Sequence, residues 1–184
     1  MRRVVILLVA ITVTIAIGAV VFIQRGVTTR QPPSSIEMSV GRTLRHYAIP
    51  ASQRNRRNPI ALTPQILADG RGHWADHCAL CHANNGSGDT ELGRNLYPRA
   101  PDMRLPETQK LSDGELFAII RDGVRLTGMP GWGGNDADNW KLVHFIRHLP
   151  NLTPEEIDEM QRLNPKSPAE MHEMHEEEDF LHGH

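Results

Sequence analysis

Cys78-Ala79-Leu80-Cys81-His82 is the stretch on which the reading of this chain turns. Its two cysteines are the only two among 184 residues, and a histidine follows the second directly. An exported protein can close such a pair into a disulfide. A thioredoxin-like redox dithiol needs a βαβ setting, and no strand pattern occurs along the chain. A structural zinc site needs more ligands at finger or ribbon spacing, and there is no second CxxC. The added histidine makes the pattern that of covalent c-type haem attachment. Two thioethers then form from one helical turn, and the adjacent imidazole of His82 lies under the iron and ligates it.

Upstream, Thr63-Pro64 opens a helix, with the threonine as cap and the proline in the first turn. Ile66, Leu67, Gly70, Trp74 and Cys78 recur at roughly helical spacing, which predicts a helix to about His77. Downstream, residues 84–111 are rich in Gly, Pro, Asn and Arg and read as irregular. A loop of that length in a compact domain wraps something. Ser112-Asp113-Gly114-Glu115 is a capping box, Leu116, Ile119 and Ile120 supply the buried face behind it, and Gly123 ends that helix. A glycine-rich loop follows, containing Gly128-Met129-Pro130-Gly131-Trp132. The next helix is capped within residues 135–138 and runs to about His148. Leu142, Phe145, Ile146 and Leu149 share one face of it, and Pro150 stops it. Thr153-Pro154-Glu155-Glu156 opens a last short helix to about Leu163. From Pro165 the chain is charged and almost free of large apolar residues, which predicts disorder.

At the other end, residues 4–23 read VVILLVAITVTIAIGAVVFI, with no charge. Twenty such residues cross a bilayer core as a helix. Arg2 and Arg3 before them place residues 1–3 in the cytoplasm and send the rest outside. A cleaved signal peptide is the competing reading. Against it stand the length of the run and the lack of a clean A-x-A site. Residues 24–62 carry PPSS, isolated arginines and Asn58-Pro59, and read as a mostly irregular tether with packing on the domain surface open to it. The net charge of −2 conceals a basic segment after the apolar run and an acidic tail.

An electron-transfer haem needs a second axial ligand. Met129 sits between glycine and proline in a loop, with no helix face to fill, and is the candidate. Trp132 and Trp140 are candidate haem-pocket or core aromatics. Few helices and no sheet bury little, so a haem would fill the centre of the domain.

Taken in order, these residues resemble a class I cytochrome c between about Thr63 and Pro150. Gly70, Trp74 and Cys78 are spaced like that family's glycine, aromatic and first cysteine. Leu142 and Phe145 match the leucine and aromatic of its C-terminal helix. The resemblance implies an all-α fold in which these two helices cross and wrap one covalent haem c. It implies attachment at Cys78 and Cys81 and axial ligation by His82 and Met129. It also implies that Pro101 offers its carbonyl to the His82 N–H and that Met103 packs on the haem.

The expected organisation is a cytoplasmic terminus (1–3), a transmembrane anchor (4–23), a tether (24–62), the cytochrome domain (63–150), and a C-terminal helix with a His/Glu-rich tail (151–184). The expected protein is a non-enzymatic electron carrier in the periplasm, held by a single pass in a bacterial inner membrane. It would be a free carrier or the cytochrome subunit of a respiratory or dehydrogenase complex. Its partners would be redox proteins and, through residues 4–23, membrane lipid, with no nucleic acid. Arg94, Arg99 and Arg104 could steer an acidic partner. Two other functions compete: a haem sensor with a labile sixth position, and a metal-binding protein acting through His172, His175, His182 and His184. His73 and His77, four apart, are a lesser metal candidate. Made in a host that attaches haem, the chain should gain the mass of one haem, and the double substitution Cys78→Ala, Cys81→Ala should abolish that gain.

Overall fold

The computed structural model describes residues 2–24, 29 and 31–166. Its regular elements are α1 (Arg2–Gln24), α2 (Ser35–Ala48), α3 (Ala51–Arg54), α4 (Pro64–His73), α5 (Ala79–His82), α6 (Glu91–Asn95), α7 (Pro106–Gln109), α8 (Asp113–Asp122), α9 (Asp136–His148) and α10 (Pro154–Leu163). A π turn (Trp74–Cys78) joins α4 to α5, and a 3₁₀ turn (Leu149–Asn151) follows α9. No strand occurs among the described residues. The chain divides into two compact units, Met1–Gln31 and Pro32–His184. Beyond Lys166 the tail expected to be disordered, with its four histidines, lies outside the described residues.

In the first unit, α1 has 23 residues. At 1.5 Å per residue that is roughly 34 Å, enough for a hydrocarbon core of about 30 Å. Its apolar side chains, from Val4 to Ile15 and Ile17, are exposed. The Thr12 and Thr14 hydroxyls donate to the Leu8 and Ala10 carbonyls at 2.9 Å, so they ask nothing of the surroundings. The helix is long and apolar enough to cross a membrane and is consistent with an anchor.

The second unit is built around the contact of α4 with α9. A Cβ on Gly70 would lie 2.5 Å from the Lys141 carbonyl oxygen and 3.2 Å from the Phe145 Cβ, so only glycine lets these backbones approach this closely. Beside that point Trp74 packs on Phe145, with ring centroids 5.6 Å apart. Phe117 of α8 stacks on Trp140 of α9 at 4.2 Å. Leu142, Phe145, Ile146 and Leu149 are all buried, as their helical spacing predicts. Each fully buried side chain of this size contributes about 1.5–3 kcal/mol. The expected caps are in place: Thr63 accepts from the Ile66 N–H at 3.2 Å, and Ser112 and Thr153 each form a reciprocal box with a glutamate three residues on. α10 buries Met160 completely, and Arg71 of α4 ties it down through Glu156 at 2.8 Å and Glu159 at 2.7 Å.

The segment 24–62 is not the mostly irregular tether that its prolines and arginines suggested. It is helical over Ser35–Ala48 and Ala51–Arg54. The overlooked signal was Ser34-Ser35-Ile36-Glu37, a capping box: Glu37 Oε2 accepts from the Ser34 N–H at 2.7 Å, and Ser34 Oγ from the Glu37 N–H at 3.3 Å. The residues after it are docked. Ser112 Oγ donates to the Arg54 carbonyl at 2.6 Å, and Gly114 packs directly on the Gln53 carbonyl. The Arg56 guanidinium lies 4.7 Å from the Phe117 ring centroid and 5.1 Å from that of Trp140. Asn58 donates to the Trp140 carbonyl at 2.9 Å, and His144 Nε2 donates to that of Ile60 at 2.7 Å. This wrapping reflects a small core that leaves aromatic faces for other chain to cover.

Gly70→Ala should destabilise the domain by roughly 1–3 kcal/mol, because a backbone carbonyl must yield to the added methyl. Urea unfolding followed by circular dichroism checks this. An unchanged or raised midpoint would mean that α4 and α9 do not meet closely there.

Candidate haem site

The helix entering the site does not stop at His77. It passes through the π turn Trp74–Cys78 and continues as α5 to His82. Cys78, Cys81 and His82 are therefore carried on the end of one continuous helical run, and a π turn inside such a run commonly marks a functional site. No periodicity in the sequence signals the inserted residue. The run ends at Ala83, whose φ of 61° and ψ of 160° lie in a region normally left to glycine. Trp74 holds this end in place. Its Nε1–H donates to the Ala83 carbonyl at 3.0 Å, and its ring centroid is 5.7 Å from that of His82. The same indole packs on Phe145, so the helix crossing and the histidine share one buttress.

The chain after His82 folds back onto the motif. The Gly88 N–H donates to the His82 carbonyl at 2.9 Å, and Thr90 Oγ1 to that of Cys81 at 3.2 Å. Gly93 sits directly against the Cys81 carbonyl, where any Cβ would collide. The Ala100 N–H donates to Gly93 at 3.0 Å and the Met103 N–H to Gly86 at 2.8 Å, which returns residues 100–103 to the motif. Gln109 clamps that return: its Nε2 donates to the Met103 carbonyl at 2.7 Å and to the Ile146 carbonyl of α9 at 2.9 Å. Arg147 holds the next turn through the carbonyls of Gln109 and Leu111 and the Asp113 carboxylate. Met103 packs against the core. Neither Gln109 nor Thr90 stands out in the sequence, since an amide or hydroxyl in a loop is ordinary.

His82 is half-buried, and its Nδ1 is fully buried without a partner in complete hydrogen-bond geometry. Burial lowers its pKa, and the Pro101 carbonyl, acting as a loose acceptor, partly opposes this. The result favours a neutral imidazole, the form that ligates a metal. Cys78 and Cys81 are free thiols. Burial, and secondarily Cys81, pushes the Cys78 thiol up to about 12, while burial also raises that of Cys81. Redox dithiols and reactive cysteines need the opposite shift. His73 and His77 have ring centroids 4.8 Å apart, yet no group of three or more metal-ligating side chains forms among the described residues.

Met129 is half-buried in a loop folded against the end of α8. Its carbonyl accepts from the Val124 N–H and its N–H donates to Thr127 Oγ1, both at 3.1 Å. The Trp132 N–H donates to the Ile120 carbonyl at 3.0 Å. Two contacts carry this loop to the attachment helix and its wrapping. The Trp132 ring meets His77 edge-on at 5.4 Å, one residue before Cys78, and Gly128 lies against the Leu96 side chain. Trp132 itself is 41% exposed and acts as a strut at the edge of the site, whereas Trp140 is a core residue. Of the three arginines, Arg94 is paired with Asp89 at 2.6 Å and Arg104 with Asp102 at 2.7 Å, which spends part of their charge locally.

The arrangement suits a covalent haem on this chain's own terms. It offers two thiols and an imidazole on one helix end, a buried and unsatisfied Nδ1 beside a proline carbonyl, and glycine-rich chain closed around them. Residues 65–146 form a c-type cytochrome domain, whose cofactor is covalently bound haem c and whose work is haem-based electron transfer with redox partner proteins. The family model matched over those residues is described as cytochrome c oxidase, cbb3-type, subunit III. No curated protein matched the chain.

Ala83→Gly should stabilise the protein, because the strain of a side chain at positive φ is typically about 1–3 kcal/mol and exceeds the entropy that glycine adds to the unfolded chain. Thermal unfolding checks this, and a lowered midpoint would show that Ala83 is unstrained.

Proposed function

We propose that the protein is a membrane-anchored carrier of one electron on a single haem with His82 and Met129 as axial ligands. The observation that carries the reading is the CxxCH motif at the end of one helical run, with His82 buried against Trp74 and facing the Pro101 carbonyl. When bound, the haem supplies reversible one-electron exchange at its iron. Cys78 and Cys81 fix its edge by thioethers. His82 presents Nε2, while the Pro101 carbonyl and the Trp74 ring set the tautomer and tilt of the imidazole. The second-shell acceptor also raises the basicity of the ligand. Met129 would supply its thioether as the second iron ligand, which would favour the reduced state and raise the potential. Met103 and Trp132 wall the pocket. With His82 and Met129 both holding the iron, no site would be left for a substrate, and the protein would act as a carrier and not as an enzyme by itself.

The apolar α1 serves as the anchor, with Arg2 and Arg3 on the cytoplasmic side and the haem domain outside a bacterial inner membrane. Confinement to the membrane raises the local concentration of partners that share it. The protein works as a free carrier or as the cytochrome subunit of an oxidoreductase complex. The description of the matched family model favours the subunit.

Visible spectra of the reduced protein test the ligation. The native chain should be low-spin and refuse carbon monoxide at neutral pH. Met129→Ala should bind carbon monoxide and have a lower potential, while Met103→Ala should do neither. A Met129→Ala spectrum identical to the native one would reject Met129 as ligand, and carbon monoxide binding by the native protein would favour a sensor.

A further inference from the structure

Helix α2 carries an apolar stripe that stays exposed among the described residues. Ile36, Val40, Leu44 and Tyr47 fall at helical spacing on one face and are 77%, 51%, 65% and 76% exposed. No residue of α2 is buried. Positions off the stripe hold the helix to the domain. Glu37 Oε1 accepts from the Tyr97 hydroxyl at 2.9 Å, His46 meets Glu115 of α8 at 3.0 Å, and Arg45 is half-buried. The helix is thus fixed on the protein through its polar positions and presents four large apolar side chains away from these contacts.

We infer that α2 is an in-plane membrane-surface helix that lays Ile36, Val40, Leu44 and Tyr47 into the headgroup boundary of an anionic bilayer, seating the haem domain on the membrane. The inference rests on the reading of α1 as the anchor. Three observations favour lipid as the occupant. Only ten residues, 25–34, separate α1 from α2, and fully extended they reach about 35 Å, so the stripe never leaves the vicinity of the surface that α1 exits. The chain from Arg25 to Arg57 carries seven arginines against one carboxylate, Glu37; Arg45, Arg54 and Arg56 are turned to the domain, and the other four suit anionic headgroups. Tyr47 closes the stripe with a ring that is apolar along its body and polar at its tip, the residue type that settles at the headgroup level. A short amphipathic helix of this kind is held by its buried apolar face together with its basic flank. Its attachment to α8 through Glu115 passes the orientation on, since the Met129 loop hangs from the far end of α8 through Ile120 and Arg121.

The test uses the full haem-loaded chain in phosphatidylglycerol/phosphatidylcholine vesicles. With Cys78 and Cys81 held as thioethers, a single introduced cysteine takes a nitroxide label. Labels are placed at Val40→Cys and Leu44→Cys on the stripe, at Arg42→Cys off it, and at Ile15→Cys in α1. Accessibility to oxygen and to a water-soluble nickel chelate is read by power saturation in the reduced protein, with the haem spectrum as the check on folding. The expected result is an oxygen-to-nickel ratio several-fold higher at Val40 and Leu44 than at Arg42, and highest at Ile15. A lipid-exposed Ile15 with Val40 and Leu44 freely open to nickel would overturn the inference and leave the anchor intact. A water-exposed Ile15 would overturn the anchor and the inference with it. Labels at Val40 and Leu44 open to nickel in vesicles but closed to both reagents in native membranes would show a protein partner on the stripe instead, and that too would overturn the inference.

Discussion

The close approach of α4 and α9 at Gly70 sets the position of the helical run that carries Cys78, Cys81 and His82. Because no side chain separates the backbones there, Trp74, one turn further on, is pressed against Phe145. The same indole reaches the Ala83 carbonyl and the His82 ring. A contact between two helices is thereby converted, through one rigid aromatic, into the orientation of the His82 imidazole. The chain needs such a device because its described residues hold no sheet and its core of buried side chains is small. A modest hydrophobic core cannot fix an imidazole at a distance, so the fixing side chain must belong to the core itself.

The rest of the site is made of backbone. The chain after His82 is anchored to carbonyls of the motif, and its return at residues 100–103 is pinned by Gln109 to a carbonyl of α9. Loops of this composition gain little from burial, and their hydrogen bonds are what give them one shape. The buried Nδ1 of His82 has only the Pro101 carbonyl as a loose acceptor in this setting. Burial raises the thiol pKa values of Cys78 and Cys81, the opposite of what a redox dithiol needs.

The segment ahead of the domain changes the picture of a cytochrome swinging on a string. Residues 46–60 cover aromatic faces of α8 and α9 with a hydrogen-bonded strap, and α2 leads into it as a capped helix whose apolar stripe is exposed among the described residues. The strap completes the core, and the helix before it turns its apolar face outward.

The sequence alone determined the parts in which chemistry and spacing coincide. The CxxCH motif, the helix caps at Thr63, Ser112, Asn135 and Thr153, the glycine at Gly70 and the apolar face of α9 all state local rules that little else in the chain contradicts. Even Ser34 and Glu37 announced a helix, though the neighbouring prolines obscured it. The tertiary structure alone decided the π turn, the positive φ of Ala83, the clamp by Gln109, the strut of Trp132 on His77 and the docking of Arg56 on two rings. Each of these depends on groups far apart in the chain meeting in space, and a linear pattern carries no signal for a partner it does not adjoin.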